Sequence, residues 1–252
     1  LAFFALISCL SALTLWRAVT VSKRNTYLVA FLYLGAVLFL CKSLGALVFA
    51  VILTPLILFF ERNTQLTVAL VLAVIAVSYP ALKTTGTFPS DKIVALATKV
   101  SPDRAQSLHF RFSNEDALLE RANQKPIFGW GSWGRNHLRD SNTGKIRSVT
   151  DGRWIIVFGV FGWVGFLAEF GLLTLAIMRL RGATRLKGTD VLSKTVGPMA
   201  LILAFNVVDL LPNATLTPLT WLFAGALLGY ADRRFREHTP APEEERRWVP
   251  IL

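Results

Sequence analysis

The polar residues able to do chemistry are concentrated in one stretch, residues 83–152, which lies between long apolar runs. This stretch holds eleven Lys and Arg residues against seven Asp and Glu residues. Arg111 is a candidate for anion binding, because a guanidinium group recognises phosphate oxygens in a bidentate manner. Glu115 and Asp151 are candidate bases, since a carboxylate can accept the proton of a hydroxyl group. Together these residue types suggest a reaction in which arginine stabilises negative charge and a carboxylate removes a proton.

Local structure offers an alternative for the first part of the stretch. Ser113 with the two following acids matches a capping box and predicts a helix over 113–124. Glu115 is then an ordinary first-turn acid, and Arg111 stands just ahead of a helix N-terminus that favours an anion. The excess of basic over acidic residues in 83–152 either belongs to an ordinary solvated surface or attracts an anionic substrate.

The end of the stretch has a structural alternative as well. Asp151 and Arg153 stand directly before a long apolar run that begins at Trp154. Asp151 is either the N-cap of that helix, with Arg153 extending its charged end to water, or a base at the mouth of a cavity.

A glycine-rich segment, from Lys125 to Asn136, lies between the predicted helix 113–124 and Asp151. Gly129, Gly131 and Gly134 match G-x-G-x-x-G, but a dinucleotide site needs this pattern inside a βαβ unit, which the surrounding apolar runs exclude. Three glycines favour a tight turn, with Trp130 and Trp133 at the depth of lipid headgroups. The segment is either an aromatic anchor or a backbone that a substrate approaches closely.

Composition indicates what positions these residues. Of the 252 residues, 53% are hydrophobic and 17% are charged, where a soluble domain has about 25% charge. Apolar runs of about 20 residues suit a membrane-spanning helix. The sequence predicts an all-α, polytopic transmembrane bundle of about seven spans, near 1–16, 26–41, 44–60, 65–82, 154–178, 191–211 and 215–230.

Basic residues predict the orientation. A turn at Cys41-Lys42-Ser43 places thirteen Lys and Arg residues on one side, in 17–25, 61–64, 179–190 and the tail, which is the cytoplasmic side by the positive-inside rule. The predicted organisation is transmembrane helices in 1–82, a partly helical periplasmic loop in 83–152, transmembrane helices in 153–230 and a cytoplasmic tail in 231–252. Because Leu1 already opens an apolar run without signal-peptide features, we expect further sequence before it.

Charged residues inside the predicted spans form a last group of candidates. Asp209 should face a polar cavity or a partner, because a charge at mid-bilayer costs at least about 2.5–3.5 kcal/mol. Glu169 and Lys194 are candidates for a structural ion pair. Neither the two cysteines nor the three histidines show metal-ligand spacing, so no metal site, other cofactor or nucleic-acid partner is expected.

The order of these features resembles the O-antigen ligase/Wzy polymerase family of bacteria. The resemblance rests on a Lys-Ser turn before Leu44-Gly45-Ala46-Leu47, an arginine in a large external loop, and Pro126-Ile127-Phe128-Gly129-Trp130-Gly131. A polar residue then enters a helix that contains Gly159, Gly162 and Gly165. The similarity covers most of this chain.

The resemblance implies a metal-independent glycosyltransferase of the GT-C kind in the bacterial inner membrane, with its active site facing the periplasm. Such enzymes transfer a glycan from a polyprenyl-pyrophosphate carrier, undecaprenyl pyrophosphate, to a sugar hydroxyl acceptor, as in lipopolysaccharide or exopolysaccharide synthesis. Arg111 matches the loop arginine that holds the pyrophosphate. Lys42 takes roughly the place of the family's Ser-Arg turn, although alignment on Gly45-Ala46 puts Leu44 there. Asp151 stands where ligases often have histidine.

The candidate residues divide by role. Asp151, Arg111 and Glu115 are the catalytic candidates, and the substrate-binding candidates are Lys42, Arg111, Arg135, Trp130, Arg153 and Asp209. Two other classes of function remain open: a transporter or flippase for an anionic lipid-linked glycan, and a non-catalytic membrane assembly subunit. Membrane lipids are expected partners in all three.

Overall fold

The computed structural model describes residues 1–184, 186 and 193–238, and within them the chain is all-helical, as predicted. Parts of two predicted cytoplasmic segments, including Arg185, Lys187, Arg246 and Arg247, lie outside the described residues. Helices α1 to α9 are Ala2–Ala18, Val21–Leu40, Leu44–Phe59, Arg62–Thr84, Ser90–Val100, Pro102–Asn123, Arg153–Ala183, Ser193–Asp209 and Pro218–His238.

The described chain divides into two compact units. The first contains residues 1–70, 175–203 and those from Trp221 onward, where α1 packs against α2 and α3. The second contains residues 71–174 and 204–220, where α5 packs against α6. All the loop candidates for catalysis belong to the second unit.

The turn at Lys42 is confirmed. Helix α2 ends at Leu40, α3 begins at Leu44, and Lys42 adopts a positive φ of 52° between them. The apolar run from residue 26 to residue 60 is therefore two helices, which separate at the polar Lys-Ser pair.

Among the helices of the described residues, α4 and α7 are long and apolar enough to cross a membrane, with α7 interrupted at Gly162. Among the other described helices, α1 and α3 are apolar but shorter, at 17 and 16 residues. The predicted spans thus correspond to helices, two of which meet the length and hydropathy expected of a crossing segment.

The capping-box prediction at Ser113 is wrong. Helix α6 begins at Pro102 and runs without interruption to Asn123, so Ser113 lies in its interior. Proline at the first helical position fits because its missing N–H would have no partner there. Ala105 in the early turns and Leu119 in the late ones lie on the same face of this helix and are both buried, so that face packs against the core along the helix. Arg111 therefore lies in the middle of a helix and not ahead of an N-terminus.

The helix predicted over 154–178 is present within α7, but α7 is interrupted. Gly162, with φ 64° and ψ −160°, interrupts α7, and Arg153 donates two hydrogen bonds to Glu169, sixteen residues later, at 2.7 and 2.6 Å. Sixteen residues of straight helix would extend about 24 Å. The arm before Gly162 and the arm after it therefore fold back on each other as a helical hairpin.

Candidate functional site

The glycine-rich segment closes the break in the α7 hairpin. The N–H groups of Trp130 and Gly131 donate to the carbonyls of Gly159 and Val160, at 2.9 and 2.8 Å. The N–H groups of Trp163 and Val164 donate in turn to the carbonyls of Pro126 and Ile127, at 2.7 and 3.2 Å. An interrupted helix leaves backbone groups without partners at both new ends. Here the segment 126–131 provides partners for two carbonyl groups of the first arm and two N–H groups of the second.

This docking explains the glycines on both sides. A Cβ atom at Gly129 would lie 2.5 Å from the carbonyl carbon of Val160, and one at Gly162 would collide with the carbonyl oxygen of Ile127. Both glycines also have positive φ, near 69° and 64°. The two backbones touch because neither residue has a side chain. The tight turn predicted from the three glycines is confirmed, and its partner is the broken helix.

At the other end of the first arm, the start of α7 is fixed to the turn that follows α8. The N–H of Arg153 donates to the carbonyls of Leu210 and Asn213, at 2.9 and 3.1 Å. Gly152 allows this approach, because a Cβ atom there would collide with the carbonyl oxygen of Leu211. The turn 210–213 thus forms one wall of the region around Asp151 and Arg153.

Arg111 and Asp151 are brought together at this wall. Nε of Arg111 lies 3.6 Å from Oδ2 of Asp151, and the two side chains are 41% and 35% exposed. Arg111 also donates to the carbonyl of Pro212 at 3.3 Å. A charge-assisted hydrogen bond normally spans about 2.7–2.9 Å, so this ion pair is loose. Both groups remain accessible to a ligand.

Asp209 supports the same turn. Its Oδ1 accepts a hydrogen bond from the amide of Asn213 at 2.9 Å, and its Oδ2 accepts one from the hydroxyl of Thr215 at 3.3 Å. One turn earlier, Asn206 accepts from the hydroxyl of Thr220 at 3.1 Å. The polar partners expected for Asp209 are therefore the side chains of Asn213 and Thr215, which directly follow Pro212 and Ala214 in the chain.

Glu115 is buried beneath this region, with only 7% of the residue exposed. It accepts hydrogen bonds from the hydroxyl of Tyr79 at 2.9 Å and the indole N–H of Trp154 at 3.2 Å. Burial raises the pKa of Glu115 above its usual range, and the two donors and nearby Lys83 oppose that shift. Both carboxylate oxygens are thus already occupied within the fold.

The neighbouring acid, Asp116, points to a different place. It forms an ion pair of 2.6 Å with Lys83, whose side chain is only 2% exposed and whose ammonium group faces the rings of Phe88 and Phe112. A cavity of about 780 Å³ opens beside this pair, with Ser90 and Glu120 in its lining. Successive residues of α6 therefore serve two sites, an interior one at Glu115 and a solvent-facing one at Asp116.

Trp130 and Arg135 hold the glycine-rich segment in place. The guanidinium carbon of Arg121 lies 3.9 Å from the centre of the Trp130 ring, with the Lys125 ammonium at 4.5 Å, and the indole N–H donates to the carbonyl of Arg121. The Nε of Arg135 donates to the carbonyl of Ser132, and its own carbonyl accepts from Arg121. By contrast, Trp133 is 91% exposed.

Two further candidates lie apart from this arrangement or have found other partners. Lys42 is exposed at the α2–α3 turn and belongs to the first unit. Glu169 pairs with Arg153, which replaces the ion pair considered with Lys194. Among the described residues, no group of three or more His, Cys, Asp or Glu side chains is arranged to hold a metal ion.

Sequence reasoning missed the residues that support the site. Tyr79 and Lys83 lie near the end of an apolar helix, where they resemble interfacial residues, and Trp154 resembles a membrane anchor. All three residues contact the adjacent acids Glu115 and Asp116. That pair of acids was the one feature of the sequence that indicated such partners, because two acids that follow an apolar helix need hydrogen-bond donors if they are buried.

Comparison of this chain with protein-family models, with curated proteins and with solved structures found no match.

Proposed function

We propose that this chain belongs to an integral membrane protein with about seven spans, residues 83–152 facing the periplasm of a bacterial inner membrane and the C-terminus facing the cytoplasm. In the most apolar 18-residue stretch of α4 and of α7, only 39% is buried within the protein. The core helix of a soluble protein is mostly buried. The second arm of α7 exposes Val164, Leu167, Leu172 and Met178 to about half of their full extent. A continuous exposed apolar surface of this kind suits contact with lipid.

Within that protein, we propose that the chain transfers a glycan from a polyprenyl-pyrophosphate carrier to a sugar hydroxyl group. The observation that carries the proposal is the loose, accessible pair of Arg111 and Asp151. The family resemblance supports it through the same arginine and through the glycine-rich segment. The pair supplies a cation for the leaving group and a carboxylate for the acceptor within a few ångströms of each other.

The proposed reaction balances with these two groups. The acceptor hydroxyl oxygen attacks the anomeric carbon of the donor glycan, the bond from that carbon to the pyrophosphate oxygen breaks, and the pyrophosphate leaves with the electron pair. Arg111 stabilises the charge that develops on the leaving group, where a preorganised donor contributes most. Asp151 takes the proton of the acceptor hydroxyl. Pyrophosphate competes for Arg111 and so releases the Asp151 carboxylate for this task.

The remaining candidates have supporting roles in this proposal. Glu115, Arg153 and Asp209 already have partners inside the fold, namely Tyr79 with Trp154, Glu169, and Asn213 with Thr215. Glu115 and Asp209 therefore position α7 and the 210–213 turn. Arg153 orients the main chain next to Asp151. Arg135 and Trp130 hold the glycine-rich segment, and Lys42 contributes to donor binding only if it meets the lipid headgroup directly.

The deciding experiment is transfer by protein reconstituted in liposomes with a polyprenyl-pyrophosphate oligosaccharide. The assay scores joined glycan, freed carrier and translocated donor separately. Arg111→Gln is expected to lower transfer about 10²- to 10³-fold, as does loss of one electrostatic donor in other enzymes. Arg147→Gln, at a residue that is also basic but 73% exposed and paired only weakly with Asp140, is the matched control and should leave transfer unchanged. Equal activity of the two variants and the parent would refute the assignment.

A broken helix that carries an ion pair is also typical of transporters. The α7 hairpin with Arg153 and Glu169 therefore favours, as a second candidate, movement of an anionic lipid-linked glycan across the membrane. The same assay separates the two, since a transporter yields translocated donor without joined glycan or freed carrier. A non-catalytic assembly subunit would yield neither, whatever the residue at 111.

A further inference from the structure

A second cluster of basic side chains lies in the first unit, far along the chain from the loop candidates. Two cavities of about 440 and 490 Å³ are both lined by Arg17. Arg62 and Lys194 line the first cavity, next to the start of α4, and Arg24 lines the second, beside the start of α2. Four cationic residues thus surround two openings that share one arginine.

Little negative charge in the described chain offsets these cations. Glu61 is the one acid in the lining of the two cavities, and no carboxylate of the described residues lies within 4.0 Å of Arg17, Arg62 or Lys194. Arg17 donates to the carbonyl of Ile57, and Arg24 lies 4.7 Å above the ring of Trp16. These contacts fix the direction of the guanidinium groups without cancelling their charge. The cavities therefore favour an anion.

Apolar residues complete the openings. Phe60 lines one cavity and Phe59 the other, and they are 45% and 79% exposed. Val21, at the edge of the second cavity, is 83% exposed. Inorganic phosphate has no apolar part to cover such a rim, whereas the acyl chains of a phospholipid lie next to its phosphate and can cover it. Basic pockets between membrane helices bind anionic headgroups in this way.

From this combination of charge and rim, we infer that the two cavities around Arg17 bind the headgroup of an anionic phospholipid. The phosphodiester lies among Arg17, Arg62 and Lys194, with a second acidic or glycerol group near Arg24. The acyl chains pass over Phe59 and Phe60. The N-terminus of α4 at Arg62 adds its partial positive charge to the site. This inference needs only the membrane location and is independent of the transfer reaction.

The test is lipid retention by the purified full chain in detergent, measured by native mass spectrometry without any glycan donor. The probes are phosphatidylglycerol, phosphatidylcholine with the same acyl chains, and inorganic phosphate. Phosphatidylglycerol should bind well above the other two. Arg62→Gln with Lys194→Gln should weaken its binding about 30-fold, given the usual contribution of each basic residue near an anionic lipid.

The control removes the same charge elsewhere in the unit, through Lys23→Gln with Arg236→Gln, both exposed residues outside the two cavities. It should bind phosphatidylglycerol as the parent does. A charge-preserving pair, Arg62→Lys with Lys194→Arg, should keep most of the affinity and shows that the glutamine pair acts through charge and not through misfolding. Equal retention of phosphatidylcholine, equal loss in both glutamine pairs, loss in the charge-preserving pair, or saturation by inorganic phosphate at the same concentration would each overturn the inference.

Discussion

Arg153 and Glu169 lie on the two arms of one interrupted helix, and their side chains form a bidentate ion pair at 2.6 and 2.7 Å. The two side chains are only 29% and 15% exposed. Removal of one partner leaves the other charge partly buried without compensation, which is more harmful than the loss of an exposed pair. This pair fixes the angle of the hairpin and, through the N–H of Arg153, the position of the 210–213 turn.

We therefore expect Glu169→Gln to lower the free energy of unfolding by about 2–3 kcal/mol, close to the lower end for broken buried pairs. Arg153→Met combined with Glu169→Leu should recover most of that loss, because no charge is then left unpaired. The exposed pair of Arg179 and Asp232 is the control, and Asp232→Asn should change stability by less than about 1 kcal/mol. Thermal unfolding in a single detergent compares all three, and equal losses for Glu169→Gln and Asp232→Asn would contradict this role.

A second prediction concerns three glycines that differ by one property at a time. Gly171 lies in the second arm of α7, where a Cβ atom would have no neighbour within 4 Å. Gly144 has the same free space but φ +66°, and Gly162 has both positive φ and a collision with Ile127. Gly171→Ala should be neutral or slightly stabilising. Gly144→Ala should cost about 1–2 kcal/mol, from the backbone conformation alone.

Gly162→Ala should cost more than about 3 kcal/mol, since the clash adds an overpacking term to the backbone term. Unfolding free energies of the three variants under one condition measure the series. If Gly162→Ala were as harmless as Gly171→Ala, the helix would be continuous in solution and the docking of residues 126–131 would be wrong.

The sequence predicts those parts of this arrangement that are decided by residues close together in the chain. The separation of α2 from α3 at Lys42 was predictable, because a polar pair inside a long apolar run breaks the hydrophobic pattern locally. The start of α6 was not, because the capping-box signal at Ser113 competes with Pro102 eleven residues earlier, and packing of the whole helix decides between them. A local capping pattern predicts where a helix starts only if no other possible start lies within the same helix.

The hairpin was beyond local reasoning for a different reason. Hydropathy averages side chains and carries no information about the direction of the backbone at Gly162. The site candidates Arg111 and Asp151 were each identified from chemistry, but their contact depends on the 210–213 turn, a hundred residues along the chain from Arg111. The signal that was available is the match between two glycine-rich segments, around Gly129 and around Gly162, since closely packed backbones require glycine on both sides.

The dependence of stability on pH gives a third prediction. Burial holds the pKa of Glu115 above its ordinary value near 4.5. The stabilising contribution of this group is therefore complete below its unfolded-state pKa and is lost as the pH rises through the folded-state pKa. The free energy of unfolding of the parent, relative to that of Glu115→Gln, should therefore decrease as the pH rises from about 4.5.

Asp140, in the same loop, should give the opposite dependence of stability on pH. Hydrogen bonds from the backbone N–H groups of Thr143 and Asn142 lower its pKa. Its contribution is present above its unfolded-state pKa and is lost as the pH falls through the lower folded-state value. Asp140→Asn should therefore differ from the parent least in strong acid. A pH series of denaturant unfolding curves measures both slopes, and slopes of the same sign for the two variants would refute the assignment of Glu115 as a buried carboxylate.

The last prediction separates the proposed base from the group that binds the leaving pyrophosphate. Asp151→Asn keeps the shape of the side chain but cannot accept the acceptor proton, so turnover should fall about 10²- to 10³-fold, within the range for loss of a general base. Donor binding should not weaken, because Arg111 retains its contact with the carbonyl of Pro212 and loses a carboxylate that competes with the pyrophosphate. Asp151→Glu should restore part of the turnover, and Asp103→Asn, at an exposed first-turn acid of α6, should have no effect. Single-turnover rates in liposomes, measured beside equilibrium binding of the polyprenyl-pyrophosphate donor, distinguish the cases. Weaker donor binding at unchanged single-turnover rate would make Asp151 a positioning residue for Arg111 and leave the proton to another acceptor.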